Sequence, residues 1–353
     1  MNNKNVLIAL IVILIGLTTF LGGYLVAQKS TSPQQANIFN LNRFSSSPAN
    51  SPHTKNGNLP ELIRLSTVKA LYPAISEDGK KILYFEKESG KVLNTDFSGQ
   101  TNSVVLGKVL PGLTEAQWAP NGTGVITRQG PKTSYLNLKT EESTVLNDNI
   151  SGMAWSKNSQ KIAYLFYDPK TGEGQISIAN PDGSVFKNIL PTRAEQLNLN
   201  WLNDNQISFH NPTGEDHSLF LLNIENKELE KVLDSLSDLK VLWSPNISKL
   251  LYSYQKEGVT KLFFLDLKTK TNLDVELPIK ASQCVWSLSS LFAYCGNEKL
   301  YQLDVAKKEF GLVFQPSPAD QIKIKKPVLS PAEDFLFFVN DSDGYLYRIS
   351  LDN

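Results

Sequence analysis

The residue types that most often do chemistry are sparse in this chain. Its three histidines are His53, His210 and His217. His53 lies in a Ser, Pro and Asn-rich stretch. His210 and His217 flank the turn Asn211-Pro212-Thr213-Gly214-Glu215-Asp216, a setting that reads as exposed hairpin histidines rather than metal ligands or acid–base groups. No Gly-x-Ser-x-Gly nucleophile elbow and no phosphate-binding P-loop occurs. Acidic pairs such as Glu141-Glu142 sit on turns and read as solvated surface. Asp341, Asp343 and Gly344 resemble the start of a calcium loop, but the later ligands of that motif do not follow, so a hairpin turn is expected. Cys284 and Cys295 flank the Trp286 turn on neighbouring strands of an expected hairpin. Buried free thiols are the expected state, with a disulfide open as the alternative. Two cysteines alone make no structural zinc site. Lys323, Lys325 and Lys326 alternate with Ile322 and Ile324 and are expected to be solvated lysines rather than a lipid- or partner-binding patch. No catalytic, cofactor-binding or metal-binding residue is therefore assigned, and no enzymatic activity is expected.

The elements that must carry these residues are set by a repeat. All five tryptophans, Trp118, Trp155, Trp201, Trp243 and Trp286, stand just before a polar turn and a second short apolar run. Trp243-Ser244-Pro245-Asn246 precedes Leu250-Leu251-Tyr252, Trp155-Ser156-Lys157-Asn158 precedes Ile162-Ala163-Tyr164, and Trp118-Ala119-Pro120-Asn121-Gly122 precedes Val125-Ile126. Trp201 and Trp286 head copies with worn turns. Ile75-Ser76-Glu77-Asp78-Gly79 and Leu329-Ser330-Pro331-Ala332 keep the turn but replace the indole. Seven copies result, with anchors separated by 43, 37, 46, 42, 43 and 43 residues. A period near forty residues with strand-like content predicts propeller blades of four strands each. Turns such as Asn180-Pro181-Asp182-Gly183 and Asp343-Gly344 punctuate the strands. A large side chain at one place in every blade, an indole in five of the seven, is expected to pack between adjacent sheets rather than form a ligand platform.

The last copy stops at its third strand, Tyr345 to Leu351. The segment Leu62-Ile63-Arg64-Leu65-Ser66, ahead of the first copy, reads like a fourth strand. Pairing the two would close the ring and cover both sheet edges. The fold class expected is all-β: a seven-bladed β-propeller over residues 61–353.

The Trp-Ser-Pro-Asp/Asn-Gly turn followed by an Ile-Ala-Tyr strand is similar to the WD-like repeats of TolB-type propellers, found in bacterial periplasmic proteins and in the propeller domains of prolyl oligopeptidase-like peptidases. The turn glycine is kept only at Gly79 and Gly122. The resemblance implies an extracytoplasmic ring used mainly for protein contact, with no universal catalytic residues to carry over. No hydrolase domain is expected to accompany it.

Ahead of the ring, residues 1–5 form a short tail with Lys4, and Val6 to Ala27 form an uncharged run long enough to cross a bilayer needing about 20 residues. It is longer than a secretory apolar region and lacks a good cleavage motif, so an uncleaved transmembrane signal anchor is expected, with the N-terminus cytoplasmic. Residues 28–60, rich in Ser, Pro, Asn, Gln and Thr, read as a disordered, flexible linker.

With 35 basic and 35 acidic residues the chain has no electrostatic footprint for nucleic acid. The expected function is a membrane-tethered extracytoplasmic scaffold for a protein or cell-envelope partner. The alternative is a glycan or small-ligand binding domain, or a degenerate enzyme, using the propeller channel. Candidate binding segments are the longer connections Asp168 to Gly174, Pro191 to Asn198 and Gln315 to Lys326.

Overall fold

A computed structural model describes residues 43–46, 60–213, 217–317 and 319–351. The segments 1–5 and Val6 to Ala27 lie outside the described residues, as do His53 and most of the expected linker. Among the described residues no helix is long and apolar enough to cross a membrane.

Seven sheets, each built on four antiparallel strands, follow one another along the chain, six of them spanning residues 70–106, 113–145, 150–192, 198–233, 240–274 and 284–314 and the seventh taking three strands from 324–350 and one from 62–64. They are numbered here as blades 1 to 7. Each of the seven sequence anchors lies in the innermost strand of its blade, and six of them end it; Trp201 is the exception, because its strand Asn198–Asn203 continues two residues further. The second strands run as near-continuous apolar segments, such as Lys81–Glu86 and Lys249–Lys256, because both faces are covered by neighbouring blades. Six buried apolar clusters join consecutive blades. The cluster between blades 5 and 6 gathers Leu251, Phe264, Leu273, Trp286 and Leu303.

In five of the seven blades the turn after the anchor is built by a serine. Ser76, Ser156, Ser244, Ser287 and Ser330 each accept a hydrogen bond at Oγ from the backbone N–H five residues on, at 2.9–3.1 Å. Four of these serines are also at least nine-tenths buried, which explains why a polar residue recurs beside the core. Gly79 and Gly122 hold the left-handed position of the turn at φ 69 and 70°, as expected of glycine. In four of the remaining five turns Ser159, Ile247, Ser290 and Glu333 hold it, at φ 60–64°.

Ring closure is as expected. The strand Leu62–Arg64 pairs antiparallel with Leu346–Ser350, in the register Leu62↔Ile349, Ile63↔Arg348 and Arg64↔Tyr347. It supplies the fourth strand of blade 7. Leu65 is buried behind it, and Ser66 Oγ accepts the Leu346 N–H at 2.9 Å.

The linker expectation needs correction at one place. Arg43–Ser46 is seated on the ring: Ser45 and Ser46 pair in parallel with Glu309 and Phe310, making blade 6 five-stranded, and the Phe44 N–H donates to the Asp274 carbonyl at 3.1 Å. Phe44 is 1% exposed and meets the Phe264 ring edge-on at 5.7 Å. One aromatic side chain in a polar stretch buries apolar area, and backbone bonds to Asp274 and Lys308 add to its hold, a local feature that composition averaged over the stretch conceals.

The cysteines also depart from expectation. Cys284 and Cys295 stand directly opposite each other in blade 6 and are joined by a disulfide, with Cα atoms 4.1 Å apart. Strand register decides this, and register is not readable from an eleven-residue spacing alone.

Candidate functional site

Four innermost strands, those of blades 2 to 5, form one side of the central channel, which opens into two contiguous chambers sharing Gln117, Met153, Leu199 and Asn200. The wide chamber, about 590 Å³, lies at the end where the innermost strands begin. Its rim mixes carboxylates (Glu115, Asp148, Glu195) with cations (Arg128, Lys240), and the Tyr167 hydroxyl donates to Glu195 at 3.2 Å. Burial and the neighbouring Glu195 carboxylate push the Tyr167 phenol up, so it stays a neutral donor. Lys240 and Lys280 hold Asp238 at 2.7 and 3.0 Å, and these contacts keep its carboxyl below the usual carboxylate pKa against the cost of burial.

The shape of this mouth depends on Gly152. The innermost strand of blade 3 carries a bulge between Ser151 and Ala154, and Gly152 there adopts φ 54°. The Leu197 carbonyl of the next blade approaches so closely that a Cβ on Gly152 would lie 2.1 Å from its oxygen. Matching bulges place Tyr72 and Lys326 at φ 52 and 53° in blades 1 and 7, with the Lys326 ammonium 6.0 Å from the Tyr72 ring centroid.

His210 lies in the wall of the wide chamber but is only 3% exposed, with Nε2 3.1 Å from the Asn198 side-chain amide. Burial, reinforced by the Lys240 charge and opposed by the Leu239 carbonyl, lowers its pKa to about 4. It is a neutral buried imidazole rather than the exposed hairpin residue expected. His217 bonds the Asn211 carbonyl through Nδ1 at 2.9 Å, within its own loop.

The narrow chamber, about 480 Å³, is lined by all five tryptophans. Their expected packing role holds in part. Trp118, Trp155 and Trp286 each send the indole N–H to an innermost-strand carbonyl of the preceding blade, Tyr72, Gln117 and Leu242, at 2.6, 3.0 and 3.1 Å. Blade 4 interrupts this ladder, because Trp201 bonds the carbonyl of Asn203 in its own turn instead. Trp243, next in line, has a buried indole nitrogen with no partner among the described residues. Trp118, Trp201 and Trp243 are only half-buried, so the indoles are packing elements and channel wall at once. The far end is crossed by Lys157, whose ammonium reaches from blade 3 to the Pro245 carbonyl of blade 5 at 2.7 Å.

Of the candidate segments, Pro191 to Asn198 contributes Glu195, Gln196, Leu197 and Asn198 to the wide chamber and Asp168 to Gly174 contributes Pro169, whereas Gln315 to Lys326 lines neither chamber. The expected loop Asp168 to Gly174 is a hairpin end, since Asp168 pairs with Glu173 and Tyr167 with Gly174, leaving the four-residue turn 169–172, whose Gly172 N–H donates to the Asp168 carbonyl at 2.9 Å. Ile322 and Ile324 are buried while Lys323, Lys325 and Lys326 face outward, as the alternation implied. Asp343 caps its hairpin by accepting the Tyr345 N–H at 2.9 Å, and Asp341 pairs with Lys325 at 2.8 Å.

The fold defines the class: a seven-bladed β-propeller of WD-like repeats. No protein-family model matches the sequence, and no curated protein does. Solved structures share the architecture. An oligogalacturonate lyase in complex with manganese is 14% identical with a TM-score of 0.63, covering 86% of this chain and 96% of that one. The oligogalacturonate lyase of Vibrio parahaemolyticus gives the same values. The propeller domain of Cps50 (Swd1) from Myceliophteria thermophila is 13% identical at TM-score 0.59, covering 84% and 99%. A chain of the mitotic checkpoint complex is 12% identical at TM-score 0.60, covering 88% and 97%. At such identities the likeness speaks for the fold alone.

Proposed function

We propose that this chain is a membrane-tethered, extracytoplasmic propeller that binds a protein or cell-envelope partner at the wide mouth of its channel. The observation that carries this reading is the open chamber across blades 2 to 5, with charges of both signs on a rim fixed by strands. Mixed charge on a rigid rim favours selective, salt-sensitive association. The compartment is supported by the Val6 to Ala27 run and by the Cys284–Cys295 bridge, which belongs to an oxidising environment. Kinship with the TolB-type propellers of the cell envelope is part of the same proposal.

Protease added to spheroplasts should digest the propeller; a ring protected until the cytoplasmic membrane is lysed would end the extracytoplasmic reading. Co-purification from envelope fractions should yield a partner that is lost in the charge-reversed variant Arg128→Glu/Glu195→Lys. Undiminished recovery by that variant would place binding elsewhere.

A second reading, a glycan or small ligand in the narrow chamber, is supported by the ring of indoles and the unpartnered Trp243 N–H. Glycan-array binding abolished by Trp201→Ala, with no protein partner recovered, would favour it.

A further inference from the structure

The seat of Phe44 has a counterpart elsewhere on the ring that no described segment of this chain fills. In blade 5 the outermost strand Thr271–Asp274 is followed by Val275, whose N–H donates to the Leu262 carbonyl at 2.9 Å. In blade 2 the outermost strand Ser143–Val145 is followed by Leu146, whose N–H donates to the Thr133 carbonyl at the same distance. Val145 therefore stands where Asp274 accepts the Phe44 N–H, and Tyr135 stands where Phe264 meets the Phe44 ring. The next blades correspond as well. In blade 6 a bulge separates the pairs Leu300↔Phe314 and Tyr301↔Leu312, and in blade 3 the same bulge separates Ile176↔Leu190 and Ser177↔Asn188.

Matching those bulges puts Phe186 in the place of Phe310 and Ser177 in the place of Tyr301. Where Tyr301 and Phe310 close over Phe44 between blades 5 and 6, the small Ser177 leaves a cavity of about 480 Å³ between blades 2 and 3. Val145 and Phe186 line it at 51 and 66% exposure, and Val185, next to Phe186 in the chain, is 74% exposed. Among the described residues the edge of Lys187–Thr192 beside it has no further strand in its sheet.

We propose that the groove between blades 2 and 3 is a docking site for an extended segment of a partner protein, which inserts one aromatic side chain and adds a short parallel strand to blade 3. The seating of Arg43–Ser46 shows the chemistry such a rim accepts: one ring in the interblade crevice, backbone bonds to both blades, and small hydroxyl residues after the ring. Strand addition supplies the affinity and the ring pocket the selectivity. This inference rests on the ring being a protein-binding scaffold, and it assigns a second surface to that role.

The test uses a labelled peptide, Leu-Asn-Arg-Phe-Ser-Ser-Ser, the sequence of residues 41–47, titrated into the full chain by fluorescence polarisation. Saturable binding is expected, falling by about tenfold or more when the peptide Phe is replaced by Ala or when the protein carries Phe186→Asp. Because Phe186 is largely exposed, that variant should melt like the parent. Hydrogen-exchange protection should fall on residues 143–147 and 186–190. Absence of saturable binding, undiminished binding to the Phe186→Asp protein, or protection at 309–312 overturns the proposal. Concentration-dependent dimers abolished by Phe44→Ala would overturn it in favour of a second copy of this chain. Channel-mouth binding, read by the Arg128→Glu/Glu195→Lys variant, does not involve Phe186, so the two results are separable.

Discussion

The left-handed turn positions explain a loss that looked like decay in the sequence. Ser159 and Ser290 accept, at Oγ, the backbone N–H of Asn121 and Asn246 in the preceding blade, and Glu333 accepts that of Leu288. A side chain that staples one turn to the next offsets the roughly 1–2 kcal/mol of left-handed strain that glycine would avoid. Ile247 has no such bond to offer. Ile247→Gly is accordingly expected to leave stability unchanged or raise it by up to about 1 kcal/mol, whereas Ser290→Gly lowers it by a similar amount. Denaturant melts of the two variants check this, and equal shifts would refute the distinction. His210 sets a pH dependence. Its pKa is about 4 folded against 6.5 unfolded, so the unfolded chain binds the extra proton and stability falls as pH drops from about 6.5 to 4. The loss should approach roughly 3 kcal/mol at the bottom of that window and then level off. In His210→Gln the acid limb between these pH values should flatten, and an unchanged slope would assign the effect to other groups.

At the scale of elements, Arg43–Ser46 behaves as a clasp whose hold is one ring. Truncating a buried phenylalanine costs about 3–5 kcal/mol, more than four residues with two strand pairings can otherwise supply. Phe44→Ala should therefore release the clasp while the blades remain folded. Limited trypsin digestion reads this directly, because Arg43 is itself a cleavage site: cutting after it should accelerate by roughly tenfold or more, and an unchanged rate would mean that the backbone bonds alone hold the segment. The clasp was not legible in the sequence. Its only signal was a lone aromatic residue in a polar stretch, and its binding partners, Phe264, Asp274 and Phe310, lie more than two hundred residues away.

For the whole molecule, closure is the stabilising device. Arg348 ties blade 7 to blade 1 through the Phe97 carbonyl at 2.7 Å, lies over the Phe335 ring at 4.5 Å and reaches Glu61 at 3.3 Å. Removing residues 1–59 leaves the closing strand in place and should give a monomeric ring, less stable only by the loss of the clasp. Removing residues 1–66 uncovers the edge of Leu346–Ser350 and should produce aggregation or a broad, low-temperature melt. Identical behaviour of the two truncations in light scattering and calorimetry would show that closure contributes little.

The sequence by itself determined the blade number, the place of each innermost strand and the closing pair, because a repeat writes the same local pattern seven times and strand alternation is a property of neighbouring residues. It also located Ile322 and Ile324 inside and their flanking lysines outside. Tertiary structure alone decided what lies between repeats. It set the Cys284–Cys295 pairing through register, turned three tryptophans partly toward the channel where blade 4 breaks the indole ladder, buried His210, and seated Phe44. The disulfide depends on the register of one hairpin, and the seating of Phe44 and the indole ladder on distances between residues far apart in the chain, which are fixed only when the blades pack around one axis.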